Sequence, residues 1–213
     1  MTSPVQQAAP LLAGLDVSRF QGTIDWPAVV DAGAAARDPI AIVYYRLTIG
    51  SSFVDRLAES HRAGARAAGC RVGAYHVLTA DPVAEQVDAF LRALGPDREA
   101  LPAMLPPALD LERDDAGAGV FAGRRALEWL CAVADALSVD PVVYTGPAYA
   151  LANGLGELLD LARFPLWIAH YGVSAPHVPA PWDAWTGWQY SGTGTSPGIV
   201  GHVDRSWWRR YPG

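Results

Sequence analysis

Apolar runs of strand length alternate with helical segments over most of the chain, and this alternation limits the folds that the chain can adopt. The helical patterns cover residues 26–36, 54–68, 83–94 and 123–137. A shorter helix is expected after Pro147. Strands that alternate with helices form parallel βα units. The strand-like runs cover residues 14–17, 40–47, 71–78, 107–111, 141–144, 165–171, 187–191 and 202–204.

The alternation ends near residue 165, where loops rich in Pro, Gly and Trp replace the helices. We therefore predict an α/β fold, an incomplete TIM-like barrel of the form (β/α)5(β)3, with eight strands and helices after about the first five. No linker, repeat or low-complexity stretch divides the chain. We expect a flexible N-terminal segment at residues 1–12 and a single barrel domain at residues 13–213.

Four acidic residues come at the ends of predicted strands. Asp110 and Glu112 are two positions apart, so they project from the same face of their strand. Asp16 ends the first run and Asp204 the last, and these two strands are neighbours when a barrel closes. Functional groups of β/α barrels collect at the carboxyl ends of the strands. A carboxylate pair suits the cleavage of a glycosidic bond. Two alternative interpretations of the pair remain open: solvent-exposed acids at the mouth of a loop, and ligands of a metal ion.

Composition excludes several classes of partner. The net charge is −6, and no basic cluster is long enough to follow a phosphate backbone, which argues against nucleic acid. No apolar run reaches the length that spans a membrane, and residues 1–10 lack a signal-peptide pattern. We therefore expect a chain made in the cytoplasm that does not insert into membranes. Cys70 and Cys131 have apolar neighbours and are expected to be buried thiols.

Aromatic side chains near the predicted rim suit a sugar-binding groove, because their faces pack on pyranose rings. Trp167 and Trp188 are expected to serve packing instead. His76 and His170 also end strands, and a mixed metal site is the alternative to buried, hydrogen-bonded histidines. No paired histidine motif supports a metal, so we predict neither metal nor cofactor. The predicted substrate-binding residues are Tyr75, Tyr144, Tyr171, Gln189 and Tyr190.

Several short motifs occur in a fixed order along the chain: GLDVS at 14–18, GAYH at 73–76, PPALDLE at 106–112, PLWIAHY at 165–171 and WQYS at 188–191. Together they resemble glycoside hydrolase family 25, the N-acetylmuramidases that include Chalaropsis-type and many phage lysozymes. The resemblance implies a barrel of five βα units plus three strands and no metal. Two positions depart from the family pattern: Ile49 stands where the family has Glu, and Ser206 where it has Asn.

The resemblance and the charges together predict a mechanism. Glu112 is expected to act as general acid, kept protonated by Asp110 and by partial burial, and to protonate the leaving oxygen. Asp110 would stabilise the oxocarbenium charge or orient the 2-acetamido group of the substrate for attack. Asp16 and Asp204 would hold water or the acetamido group and tune the other two acids.

The predicted function is cleavage of the β-1,4 bond between N-acetylmuramic acid and N-acetylglucosamine in cell-wall peptidoglycan. Release by phage lysis or non-classical export would bring the enzyme, expected to be a monomer, to the wall. The alternative is a glycan-binding module on the same barrel with weakened or lost catalysis, and a metal-dependent, deacetylase-like hydrolase is a distant third. Fold alone does not decide between them.

Overall fold

The fold is a closed barrel of eight strands with one short additional strand. The computed structural model describes residues 10–36, 38–95, 104–112 and 120–209. The strands are β1 (Leu12–Val17), β2 (Ile40–Ile49), β3 (Phe53–Val54), β4 (Arg71–Val77), β5 (Ala108–Asp110), β6 (Val142–Thr145), β7 (Leu166–Ala169), β8 (Gly187–Gly194) and β9 (Val203–Trp208).

The barrel closes because β1 pairs with β2 on one side and with β9 on the other. From β2 the order continues through β4, β5, β6, β7 and β8 to β9. Neighbouring strands of this series are parallel as far as β8, whereas β9 is antiparallel to both β8 and β1. The predicted eight-stranded α/β barrel is thus confirmed, with β3 as an extra strand paired to the end of β2.

Helices follow five of the barrel strands, as predicted. Asp25 accepts a hydrogen bond from the Ala28 N–H at 3.2 Å and caps the first helix, which has Pro27 in its first turn. The helices are α1 (Trp26–Ala35), α2 (Ala58–Ala67), α3 (Val83–Leu94), α4 (Val120–Leu137) and α5 (Pro147–Ala152).

The largest differences from the predicted boundaries, four residues each, occur at the second helix and the last strand. The helix expected at 54–68 begins only at Ala58, because Phe53 and Val54 pair with β2 as a hairpin. The last strand, expected at 202–204, runs from Val203 to Trp208. Asp204 therefore lies near the start of β9 rather than at the end of a parallel strand. Since β9 runs antiparallel, its first residues reach the same rim as the carboxyl ends of the parallel strands.

Aromatic rings fill the inside of the barrel. Trp208 is fully buried, with its ring centroid 5.2 Å from that of Tyr44 and 4.9 Å from that of Trp167. Two glycines make room for it: a Cβ on Gly14 would come within 2.6 Å of the Trp208 ring, and so would a Cβ on Gly187. This packing closes the lower part of the barrel and leaves space only near the rim.

Three further predictions concern the N-terminal segment, the two cysteines and membrane-spanning helices. Residues 1–9 of the expected flexible segment lie outside the described residues, and β1 begins at Leu12, one residue before the expected domain boundary. Cys70 is buried, whereas Cys131 is only half-buried, and both thiols are free. In the described ranges, no helix has the length and apolar character needed to cross a membrane.

Candidate active site

A cavity of about 250 Å³ opens where the parallel strands end. All four acids predicted from the sequence line it, so the structure brings residues from three distant segments together. A cavity of this kind, with convergent polar groups on a barrel rim, is where barrel enzymes place their chemistry. Its lining residues are Asp16, Val17, Ser18, Phe20, Gln21, Arg46, Tyr75, Val77, Asp110, Glu112, Tyr144, Trp167, Gln189 and Asp204.

Asp16 and Asp204 form a close pair. They are directly opposite each other in the β1–β9 ladder, and their side chains share a hydrogen bond. Asp16 is 7% exposed, and burial together with the charge of Asp204 raises its pKa well above the usual range. Burial also raises the pKa of Asp204. The hydrogen bond from Asp16 has the opposite effect and lowers it, but burial is the larger cause. The pair therefore binds a proton more tightly than two isolated aspartates would, and the deeper burial of Asp16 favours the protonated form there.

Gln189 joins this pair to two tyrosines. Its Nε2 donates to Asp16 Oδ2 at 3.0 Å. Its Oε1 accepts from the Tyr144 hydroxyl at 2.9 Å and from the Tyr171 hydroxyl. Gln189 is 2% exposed, so the amide is enclosed by these partners. The network connects β6, β7, β8 and β1 across the cavity floor.

Asp110 and Glu112 lie at the end of β5. Asp110 is its last residue and is half-buried, and Glu112 follows two positions later. Glu112 is exposed, so the partial burial expected for it is wrong. The physical reason is that it stands beyond the end of the strand at the cavity mouth. Residues 113–119, which follow it, lie outside the described residues.

Two residues at the cavity were not predicted from the sequence, Arg46 and Phe20. Arg46 is 7% exposed, lines the cavity, and pairs with the buried Asp55 at 2.8 Å. Phe20 is 74% exposed, and the Arg46 guanidinium lies 5.2 Å from its ring centroid, a cation–π distance. A charged residue inside the apolar run at 40–47 was a usable signal for Arg46. Nothing in the local sequence marks Phe20.

The predicted substrate-binding residues divide into three groups. Tyr75 and Tyr144 line the cavity, and so does Trp167, which was expected only to pack. Tyr171 is 50% exposed and reaches the site through Gln189. Tyr190 is not brought to the cavity: alternate strand residues face opposite sides, so it projects outward from β8 and stacks on Trp207, with ring centroids 5.4 Å apart.

The histidines are held by the protein itself. His76 is fully buried, with Nδ1 2.7 Å from the Thr48 hydroxyl and Nε2 3.1 Å from Gln86 Oε1. Burial lowers its pKa to about 4, although the bond to Gln86 raises it. His170 is half-buried and accepts from the His177 N–H at 3.0 Å. Among the residues with described positions, no group of three or more His, Cys, Asp or Glu side chains could hold a metal ion.

The two positions that depart from the family pattern have ordinary local roles. Ile49 ends β2, is half-buried, and pairs with Phe53 of β3. Ser206 is buried in β9, and its hydroxyl accepts from the Trp167 indole N–H at 3.1 Å. Neither side chain is among those that line the cavity.

An eight-stranded barrel with several carboxylates around a cavity at its rim defines a glycosidase-type site. A lysozyme structure from Streptomyces coelicolor is 30% identical, has a TM-score of 0.81, and the match covers 96% of this chain and 94% of that one. Lysozyme M1 of Streptomyces globisporus is 32% identical over 91% of this chain and 66% of its own length. The autolytic lysozyme of Clostridium acetobutylicum is 31% identical over 91% of this chain.

The sequence profile described as Glycosyl hydrolases family 25 matches residues 15–199. The chain belongs to this family, as the resemblance implied. It spans about two thirds of Lysozyme M1 and 54% of the length of the clostridial protein.

Proposed function

We propose that the protein is a peptidoglycan hydrolase, a muramidase that cleaves the β-1,4 bond between N-acetylmuramic acid and N-acetylglucosamine. The observation that carries this proposal is the convergence of Asp16, Asp110, Glu112 and Asp204 on one cavity of a family 25 barrel. The similar proteins that bear the name lysozyme support the same substrate class.

Glu112 is the general acid of this proposal. It stands at the cavity mouth, where the oxygen of the leaving sugar can reach it, and Asp110 lies beside it at the end of β5. Asp110 stabilises positive charge on the sugar ring or orients the 2-acetamido group for attack. Both roles need a carboxylate below the ring, and the half-buried position of Asp110 suits this better than the exposed position of Glu112.

Asp16 and Asp204 serve as a polar floor that carries one proton and holds water or the acetamido group. Tyr75, Tyr144 and Tyr171 form the wall on which the sugar rings pack. We propose Arg46 and Phe20 as further contacts at the opposite edge, because Phe20 offers an exposed ring that Arg46 stabilises from one face.

The test is digestion of purified peptidoglycan, followed by borohydride reduction of the products and mass spectrometry. Reduced muramic acid at the new ends is the expected product of the wild type. Glu112→Gln should lower turnover by about a thousandfold or more, because the amide cannot donate a proton to the leaving oxygen. Glu128→Gln, the same change at an exposed residue of α4, is the matched control and should remain active.

A different result would favour the binding module. If the wild type sediments with walls but releases no reduced muramic acid, catalysis is absent and the proposal of a muramidase is wrong. Ile49→Glu and Ser206→Asn, which restore the family residues at the two divergent positions, are then the first changes to make. Reduced glucosamine instead of muramic acid at the new ends would place the cut at the other glycosidic bond.

The proposed place of action is the bacterial cell wall, reached after release from the cytoplasm by phage lysis or non-classical export. The autolytic lysozyme of C. acetobutylicum, 31% identical, is consistent with that place. We propose that the protein acts as a monomer, since a single chain supplies all four carboxylates that the proposed reaction uses. No nucleic acid partner is proposed.

A further inference from the structure

The Gln189 amide is held in one orientation. Two hydroxyl groups, from Tyr144 and Tyr171, donate to its Oε1. An amide turned by 180° would present its NH₂ group to both tyrosines and its oxygen to Asp16. In the observed orientation Oε1 accepts from both hydroxyls, and the amide N–H donates to Asp16 Oδ2.

This orientation restricts where Asp16 can carry a proton. Oδ2 already accepts from the Gln189 N–H, so the acid hydrogen belongs on the other oxygen of Asp16. Asp204 is the hydrogen-bond partner of Asp16, because the two residues are directly opposite in the β1–β9 ladder. A protonated Asp16 donates from this other oxygen to an ionised Asp204. The deeper burial of Asp16 favours this arrangement, whereas the Gln189 N–H lowers the pKa of Asp16 and opposes it in part.

We propose that Gln189 is a positioning residue that directs the proton of Asp16 towards Asp204, so that the pair enters the reaction as one acid and one carboxylate of defined identity. This role rests on the proposed muramidase function and goes beyond it. Gln189 acts through Asp16 and does not itself need to contact the sugar, since its oxygen and one amide hydrogen are already engaged inside the protein.

Other charged and titratable groups face the same pair and contribute to its proton affinity. Asp110 repels a charge on Asp16, and Arg46 is the cation that lines the cavity. Variants of Gln189 keep all of these groups, although Gln189→Met removes the shared acceptor of Tyr144 and Tyr171, which Gln189→Glu retains. The groups concerned are Arg46 of β2, Tyr75 of β4, Asp110 and Glu112 at β5, Tyr144 of β6 and Tyr171 after β7.

The experiment compares Gln189→Glu and Gln189→Met with the wild type in the pH dependence of kcat/KM on a soluble glycan fragment. The carboxyl group introduced by Gln189→Glu can donate to Asp16 only while it is protonated. At about pH 4.5 this variant should approach wild-type activity, and by about pH 7.5 it should lose about tenfold or more, because an ionised group repels Asp16 and Asp204. Gln189→Met has no donor at any pH, so its loss should show no recovery in acid.

Stability supplies a readout that does not depend on activity. The gap in thermal unfolding temperature between Gln189→Glu and the wild type should widen as the pH rises from about 4.5 to about 7.5, because an introduced buried carboxyl is costly only when ionised. In an Asp16→Asn background the widening should be strongly reduced, since the Asn side chain amide can donate to the introduced carboxylate. This second comparison remains informative if Gln189→Met fails to fold.

The outcomes separate this inference from the proposed function. Parallel pH profiles of Gln189→Glu and the wild type, or a loss confined to KM, would show that Gln189 is only a structural or substrate-contact residue. A pH-independent stability gap would contradict the inference in the same way. A wild type that releases no reduced muramic acid would overturn the proposed function alone, and the stability comparison would still decide the role of Gln189.

Discussion

Asp16 illustrates the conflict between stability and chemistry at the scale of a residue. The folded protein buries it beside a second carboxylate, and its pKa rises well above the usual range. A group whose pKa is raised by folding stabilises the fold below its unfolded pKa of about 3.9, and this contribution is lost as the pH rises through the folded pKa. At neutral pH the buried Asp16 thus lowers the free energy of unfolding, and the rest of the core offsets this loss.

Asp16→Asn should therefore stabilise the protein at neutral pH. Its side-chain oxygen can accept from Gln189 and its NH₂ group can donate to Asp204, which reproduces the protonated acid without its ionisation. We expect the variant to exceed the wild type in unfolding temperature at about pH 7.5 and to lose that advantage at about pH 4. Thermal unfolding at both pH values measures this. An advantage that is equal at both would contradict a raised pKa of Asp16.

The sequence indicated which residues carry the chemistry better than it indicated their surroundings. Asp16, Asp110, Glu112 and Asp204 could be predicted because acidic groups at strand ends have few structural reasons to be there. The exposure of Glu112 could not be predicted, because it depends on where β5 stops relative to the loops around it. Tyr190 was misplaced because it was predicted together with its neighbour Gln189, and adjacent residues of a strand face opposite sides.

At the scale of elements, Asp55 ties three segments together. Its carboxylate accepts from the Arg19 N–H at the start of the turn Arg19–Gln21, from the Arg46 side chain of β2 and from the Leu57 N–H before α2. The distance is 3.0 Å in each case. Burial acts to raise its pKa, but these hydrogen bonds hold the pKa below its ordinary value. Its contribution to stability is present above a pH of about 3.9 and is lost in more acidic solution.

Asp55→Asn should lower the free energy of unfolding by about 3 kcal/mol at neutral pH, because Arg46 would be left as a buried, uncompensated charge. Chemical denaturation measures this directly. Asp140→Asn, which breaks the exposed Arg163–Asp140 pair, is the control and should cost much less, because water screens that pair. Equal losses in the two variants would contradict a structural role for the buried pair.

Gly14 tests the packing inside the barrel. Gly14→Ala should lower the free energy of unfolding by about 1–3 kcal/mol, because the new Cβ would overlap the Trp208 ring and both backbones are constrained by β-sheet pairing. At Gly146 the nearest atom to an added Cβ is 3.6 Å away, so Gly146→Ala is the control for a glycine without such an overlap. Denaturation curves that show the larger loss for Gly146→Ala would contradict this account of Trp208.

Local patterns were sufficient for most elements and failed where pairing is decided at a distance. Helix α3 was predicted to the residue, since its apolar period and its final Gly95 are local signals. The direction of β9 was not predictable from its own residues, because a strand of that composition pairs equally well in either sense. The hairpin of β3 likewise forms because the end of β2 has backbone groups to which Phe53 and Val54 can pair, which the two residues themselves do not indicate.

At the scale of the whole molecule, the net charge of −6 sets how the protein meets an anionic wall. Long-range attraction cannot supply affinity, so binding should rest on contacts in the groove. We expect sedimentation with purified walls to change less than about twofold between about 50 mM and 500 mM NaCl, where exposed charges are increasingly screened. Loss of binding at moderate salt would instead point to an electrostatic interaction with the wall.

The barrel brings the first and last described strands side by side, and the acid pair is divided between them. Such contacts between distant parts of a chain form late in folding, since the intervening loop must first be ordered. On a ribosome, β9 emerges after every other strand. A nascent chain that already contains Asp110 and Glu112 lacks the partner of Asp16 until β9 is made. Of the described strands β9 is made last, so a chain that stops before it cannot assemble the cavity with its four carboxylates.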